Sequence, residues 1–332
     1  MSKEEIEKLI QIAKKSIKCY IGTGDNAETE LKNLPTEIPV LDRIIGGGLK
    51  RGRIHLFTGE FATGKTFLAQ RAIVSAQKNG GKCVLIDAER RYDPKWFELT
   101  GIDIKNLIVV RPNFGEQAID AVIDFIKQKV DVIVIDSFAA LLPLEESEEG
   151  MEQKFIGLQA RMLNKAFRKI VPLNDNTVII ATNQQRQEIG SRFHPGVQQR
   201  MAGGVGQYYY ASLILQVRRR GWLTEKGGKV EEPDEEAKDI KRKRIGFVME
   251  CFVQKCNYAP PFERCQIPFN FYTGQLDNLA SLVDLAVDMG IIRQAGPWFN
   301  YEEQKVMGKQ AICDWFNQDL SRLEKLKEEI LL

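Results

Sequence analysis

Eight consecutive residues, Gly59-Glu60-Phe61-Ala62-Thr63-Gly64-Lys65-Thr66, follow the pattern G-x-x-x-x-G-K-[S/T]. Each residue type has a chemical reason to be there. Glycines let backbone N–H groups wrap phosphate oxygens, and a helix beginning at the motif adds the positive end of its dipole. Lys65 brings a point charge to the β- and γ-phosphates, and Thr66 offers a hydroxyl to magnesium. The segment predicts a site for ATP and Mg2+.

Further polar residues stand where apolar runs stop. Val130 to Ile135 ends in Asp136 and Ser137, which suits a carboxylate that holds magnesium directly or through water. A helix N-cap after a strand is the plainer role for the same pair. Cys83 to Ile86 runs into Asp87-Ala88-Glu89, so a carboxylate points into the nucleotide crevice. Glu89 is the candidate to orient and deprotonate the attacking water, with Asp87 its competitor on spacing alone. Asp93 and Trp96 suit a hydrogen bond to adenine and a stack on it, or equally a capped helix with a core tryptophan. Val178 to Thr182 is followed by Asn183-Gln184; a glutamine there can sense the γ-phosphate or simply finish a strand.

The elements that position these groups show in the hydrophobic pattern. Residues 3 to 18 place Ile6, Leu9, Ile10, Ala13 and Ile17 at helical spacing among lysines and glutamates, which predicts an amphipathic helix. A polar stretch, Gly22 to Asn33, follows it. From about residue 38, short apolar runs at Ile54–Phe57, Cys83–Ile86, Leu107–Val110, Val132–Ile135 and Val178–Ala181 read as strands buried on both faces. Helical stretches at Thr66–Lys78, Gly115–Gln128 and Ile156–Ile170 lie between them, so the fold class is α/β with a mostly parallel, doubly wound sheet. Ser212–Arg218, Gly246–Gln254 and Glu263–Phe271 read as later strands in antiparallel hairpins, separated by a charged loop from Thr224 to Arg244. The segment from Leu276, with Trp298, Phe299, Tyr301, Trp315 and Phe316, reads as helical and as a small separate domain.

Composition excludes several classes. The 332 residues carry near-balanced charge, +2, and no apolar run approaches the roughly 18 residues needed to span a bilayer. The charged start, Met1-Ser2-Lys3-Glu4-Glu5, has no apolar signal core. Six cysteines without a CxxC pair predict reduced thiols, and the expected location is cytoplasmic.

Taken in order, these pieces resemble the bacterial RecA recombinases. The resemblance runs from about Pro35 to the C-terminus through VLIDAERRYDP, GEQAID, VDVIVIDSFAALLP, GLQARMLNKAFRKI, NQQRQEIGSRF, the Gly203-Gly204 pair and SLVDLAVDMGIIRQAGPWFNY. It implies an N-terminal helix and linker for protomer packing (1–33), a RecA-type ATPase core (34–272) and a small α/β C-terminal domain (273–332). It further implies a homo-oligomeric helical filament on single-stranded DNA, with ATP between protomers and a homologous double-stranded DNA engaged during strand exchange. On this resemblance Glu89 is the catalytic carboxylate, Asp136 a magnesium ligand, Gln184 the γ-phosphate sensor, and Asp93 with Trp96 the adenine contacts. Two DNA loops are implied, at about Glu145–Ile156 and Gln187–Ala202, with Ile156 and Phe193 as wedges between bases. Arg161, Asn164, Arg168, Gly203 and Gly204 match phosphate-contacting positions.

The departures are informative. Where the family presents two lysines across the protomer interface, this sequence has Lys255 and Asn257. Gln198-Gln199-Arg200-Met201-Ala202 replaces a threonine-rich run, and Arg192 and Arg200 could compensate by contacting phosphate. Glu145, Glu146, Glu148, Glu149 and Glu152 make the first loop acidic. These features suggest a divergent member or a paralogue. An accessory or scaffold protein that uses ATP as a structural ligand, and a ring-forming motor on the same core, are the alternative readings.

Overall fold

The computed structural model describes residues 2–17, 19, 21–23, 32–148, 157–188, 198–224, 229–230 and 244–331. Ile156, Arg192, Phe193 and most of the charged loop lie outside these. The chain divides into two units, residues 1–32 and 33–332. The first contains α1 (Lys3–Ser16), started by a capping box in which Ser2 Oγ accepts from Glu5 N–H and Glu5 accepts from Ser2 N–H. This helix buries none of its residues, and Leu9 and Ile12 are more than half exposed.

In the second unit β1 (Asn33–Leu34) pairs with β2 (Leu49–Lys50) around α2 (Pro39–Ile44). The nucleotide-binding half then runs β3 (Ile54–Gly59), α3 (Lys65–Lys78), β4 (Cys83–Asp87), α4 (Pro94–Leu99), β5 (Leu107–Val110), α5 (Gly115–Lys127) and β6 (Val132–Asp136). After α6 (Leu144–Glu148) and α7 (Leu158–Ile170) come β7 (Val178–Glu188), β8 (Gln198–Met201), α8 (Gly206–Tyr210) and β9 (Leu213–Thr224). A short β10 (Lys229–Val230) pairs back on β9, and β11 (Arg244–Cys256), β12 (Arg264–Asn270) and β13 (Gln275–Leu276) extend the sheet. The chain ends with α9 (Asn278–Asp288), β14 (Arg293–Ala295), β15 (Trp298–Tyr301), β16 (Gln304–Met307), α10 (Lys309–Asn317) and α11 (Leu320–Leu331).

Along the main sheet the order is β13-β12-β11-β9-β3-β7-β6-β4-β5. From β9 to β5 every neighbouring pair is parallel. Side chains alternate across this sheet as the pleat requires. Val132 and Val134 join the core beneath α3, while Ile133 and Ile135 join the core beneath α5 and α7. Burial on both faces is what makes these strands uniform apolar runs, and β3, β4 and β6 are buried at every residue.

The later strands extend the sheet as antiparallel neighbours, as expected: β11 pairs antiparallel with both β9 and β12, while β9 joins the core parallel to β3, registering His55 with Leu213. Two sequence expectations need correction. Within the bounds given to the second loop, β7 continues to Glu188 and pairs with β8 (Gln198–Met201), Gln185 opposite Met201. Trp298, Phe299 and Tyr301 lie on a strand rather than a helix, because Phe299 and Tyr301 alternate inward with a period of two. Among the described residues no helix is long and apolar enough to cross a membrane.

Candidate functional site

The carboxyl ends of β3, β4, β6 and β7 meet at one cleft of about 370 Å3. The 59–66 segment forms its floor. Gly64 is the N-cap of α3 at φ +97°, with no side chain occupying the first-turn N–H groups. A Cβ there would sit 2.3 Å from Met249 Sδ on β11, so the position requires glycine for two separate reasons. Lys65 Nζ folds back to donate to the carbonyls of Gly59, at 3.0 Å, and Glu60. Burial pushes the Lys65 ammonium below its ordinary value, opposed by the charges of Asp136, Glu89 and Glu60. Phe61, Ala62 and Thr63 line the cleft beside it.

Asp136 sits at the end of β6, buried, with both oxygens engaged. Thr182 Oγ1 donates to Oδ1 at 2.5 Å and Thr66 Oγ1 to Oδ2 at 2.9 Å. Desolvation raises its carboxyl above the usual range, and the two threonine hydroxyls oppose that rise. A buried carboxylate beside the hydroxyl of the phosphate-binding helix has the hard oxygen chemistry that would suit magnesium.

The turn after β4 separates the two acidic competitors. Asp87 accepts from Arg91 N–H at 2.8 Å and Tyr92 N–H at 3.3 Å, and pairs with Arg111 Nε at 3.1 Å. It braces the turn. Glu89 faces the cleft instead, its backbone N–H bonded to Asp136 O at 3.1 Å. Glu89 Oε1 accepts from Ser137 Oγ at 2.5 Å and from Gln184 Nε2 at 3.5 Å, and Oε2 pairs with Arg91 Nη1 at 3.1 Å. Ser137, Thr182 and Arg91 were given no site role by the motif reading, which saw them only as neighbours of marked residues.

At the other end the cleft is aromatic. Trp96 lies edge-on to Phe269, ring centroids 6.3 Å apart, opposite Trp222, Phe247 and Phe271. Sequence inspection missed this wall because its members come from β9, β11 and β12, far from the phosphate motif. Asp93 does not line the cleft; it caps α4, accepting from Lys95 N–H at 3.0 Å. Lys255 does not line it either. Its ammonium donates to the carbonyls of Tyr208, Tyr209 and Ala211 at 2.8, 3.3 and 2.7 Å, at the C-terminal end of α8, and burial lowers its value. Asn257 is exposed beyond it.

A second cleft of about 500 Å3 lies between the bases of the two candidate DNA loops, lined in part by Pro143, Gln159, Gly203 and Gly204. Gly203 and Gly204, at φ +85° and +80°, press so closely on Leu163 and Ala160 of α7 that a Cβ would meet them at 2.4 and 2.7 Å. Arg161, Lys165 and Arg168 line the exposed face of the same helix, and Asn164 packs against Gly206. Asn183, next to the cleft residue Gln184, donates to Ala202 O at 2.9 Å and to Gln207 Oε1 at 2.8 Å. Gln207 in turn donates to Ala202 O and Gly204 O. One strand, β7, thus carries Gln184 into the first cleft and Asn183 into the base of the second loop.

A family model described as the RecA N-terminal domain matches residues 3–274, and one described as the RecA C-terminal domain matches residues 280–331. This chain belongs to the RecA family. It is similar to the protein RecA of Acinetobacter baumannii, 36% identical over 92% of this chain and 84% of that one. It is also similar to Protein RecA of Thermus thermophilus, 33% identical over 99% and 95% of the two chains, and of Thermus aquaticus, 33% over 93% and 87%.

Proposed function

We propose that this RecA-family chain is an ATP-dependent DNA recombinase. It forms a helical filament on single-stranded DNA in the cytoplasm, pairs that strand with a homologous duplex and exchanges strands, hydrolysing ATP as it does so. The observation that carries the reading is the convergence of Lys65, Thr66, Asp136, Glu89 and Gln184 on one cleft, with β7 running on to the second loop. Lys65 and the N–H groups of the 59–66 segment hold the phosphates; Thr66 and Asp136 would hold magnesium, which when bound would neutralise charge on the phosphoryl oxygens. Glu89, oriented by Ser137, takes the proton of the attacking water. Trp96 and the facing aromatics hold the base by stacking.

For DNA, Arg161 and Arg168 supply exposed cations on α7, and the N–H groups of Gly203 and Gly204 supply donors beside them. Arg192 and Arg200 add phosphate contacts, and Ile156 and Phe193 wedge between bases. The free apolar side of α1 suits packing on a second protomer, and Lys255 reaches that neighbour's nucleotide when its hold on α8 is released. The three regions of the chain divide this work as protomer packing (1–33), ATP and DNA binding (34–272) and a small C-terminal domain (273–332).

One observation favours a scaffold reading, with ATP as a structural ligand: Lys255 is committed to three carbonyls and Asn257 carries no charge. Joint-molecule formation between circular single strands and homologous linear duplex separates the two. Products that appear only with hydrolysable or slowly hydrolysed triphosphate support the recombinase. Tight DNA and ATP binding without joint molecules would support the scaffold.

A further inference from the structure

Arg91 is a cation at the nucleotide cleft that the phosphate motif does not account for. Its guanidinium lines the cleft together with Lys65 and Glu89, and its side chain is 75% exposed while that of Glu89 is 12% exposed. Its backbone is fixed: Arg91 N–H is held by Asp87, which Arg111 holds in turn. An exposed charged group is therefore carried on a hydrogen-bonded turn two residues from the candidate base.

The pairing has a chemical consequence. Ser137 and Gln184 occupy Glu89 Oε1, and Arg91 occupies Oε2, so both oxygens of the base already have a protein donor. Oε2 keeps a second lone pair, but the guanidinium beside it competes with water for that oxygen. An ion pair this exposed contributes little stability, so exchanging its partner costs little. A terminal phosphate offers a guanidinium stronger, doubly hydrogen-bonded contact than a single carboxylate oxygen does.

We propose that Arg91 changes partner from Glu89 to the γ-phosphate when ATP binds, which opens the base and adds a cation in cis to the transferred group. The inference rests on the ATP-site reading above. In the reaction, the water oxygen bonds to the γ-phosphorus while the bond from that phosphorus to the β–γ bridging oxygen breaks. ADP keeps that electron pair, and the water proton passes to Glu89 Oε2. Arg91 meets the charge that spreads over the γ-phosphoryl oxygens. Its presence also fits the cation inventory, because position 257 is an asparagine and Lys255 is tied to α8.

The test uses the full chain with single-stranded DNA and compares wild type with Arg91→Ala and Arg91→Lys. Fluorescent ADP and a fluorescent non-hydrolysable ATP analogue report binding, and phosphate release reports turnover. In Arg91→Ala, ADP affinity should stay within about twofold, while the preference for the triphosphate analogue falls roughly tenfold, the scale of one charge-assisted contact. Turnover should fall by about 10²-fold or more, as for loss of a transition-state donor. Added guanidinium ion should restore part of that turnover, and Arg91→Lys should lie between. A variant that hydrolyses ATP as fast as wild type, or that loses affinity for ADP and the analogue equally, would overturn the proposal. Failure of the wild type to bind either nucleotide would overturn the ATP site as well, and is distinguishable because the variant is then not needed to see it.

Discussion

Thr182 offers a direct probe of how Asp136 is kept ionised in a buried place. The side chain is 1% exposed, and its hydroxyl makes a 2.5 Å bond to Asp136 Oδ1. Thr182→Val keeps the shape and removes that donor, leaving a buried carboxylate oxygen without its partner. A hydrogen bond to a charged group is worth about 1.5–3 kcal/mol, so this is the expected loss in stability at neutral pH. With about 2.1 cal/mol/K of unfolding entropy per residue, the melting temperature should fall by roughly 2–5 °C. Burial raises the folded-state value of Asp136, so the stability linked to it is fullest at low pH and is lost as pH rises through that raised value. The Thr182 bond opposes the rise, and its removal enlarges the loss. The deficit of Thr182→Val should therefore be small in acid, where the carboxyl is protonated, and grow toward neutral pH. Magnesium with ATP should narrow it, because a bound cation neutralises the same charge. Thermal melts at several pH values, with and without Mg-ATP, measure all of this. A deficit of equal size at acid and neutral pH would refute the role given to Asp136.

The two carboxylates after β4 should respond in opposite ways. Glu89→Gln should leave the melting temperature unchanged and slow hydrolysis about 10²- to 10⁴-fold, whereas Asp87→Asn should lower the melting temperature by weakening the Arg111 pair. Calorimetry beside phosphate release checks the contrast; normal turnover in Glu89→Gln would mean the base is elsewhere. Arg161→Ala and Arg168→Ala should each weaken single-stranded DNA binding without sequence preference, and should reduce the dependence of affinity on salt by about one phosphate contact. Fluorescence anisotropy across a salt series measures the slope, and an unchanged slope would remove that residue from the DNA face.

The parallel core was readable because burial on both faces writes itself as unbroken apolar runs, as at Val132–Ile135. The phosphate site was readable because its residues are contiguous. Glu89 could not be told from Asp87 by spacing, since the distinction lies in what each touches: Asp87 turns back to two backbone N–H groups and Arg111, and Glu89 faces Ser137 and Gln184. Ser137 and Thr182 are visible in the sequence as ordinary residues at strand ends, and only strand order brings them beside Glu89 and Asp136. The aromatic wall of Trp222, Phe247 and Phe271 was hidden for the same reason. The antiparallel pairing of β9, β11 and β12 was legible as a run of later strands, but the parallel join of β9 to β3 was not, because an apolar run reads alike in either pairing.

ATP hydrolysis by the purified protein, with and without single-stranded DNA at low and moderate salt, tests the central claim most directly. The account predicts turnover that rises strongly when DNA is added and weakens as salt displaces the phosphate contacts. Turnover indifferent to DNA at every salt concentration, in protein that binds both ligands, would contradict it.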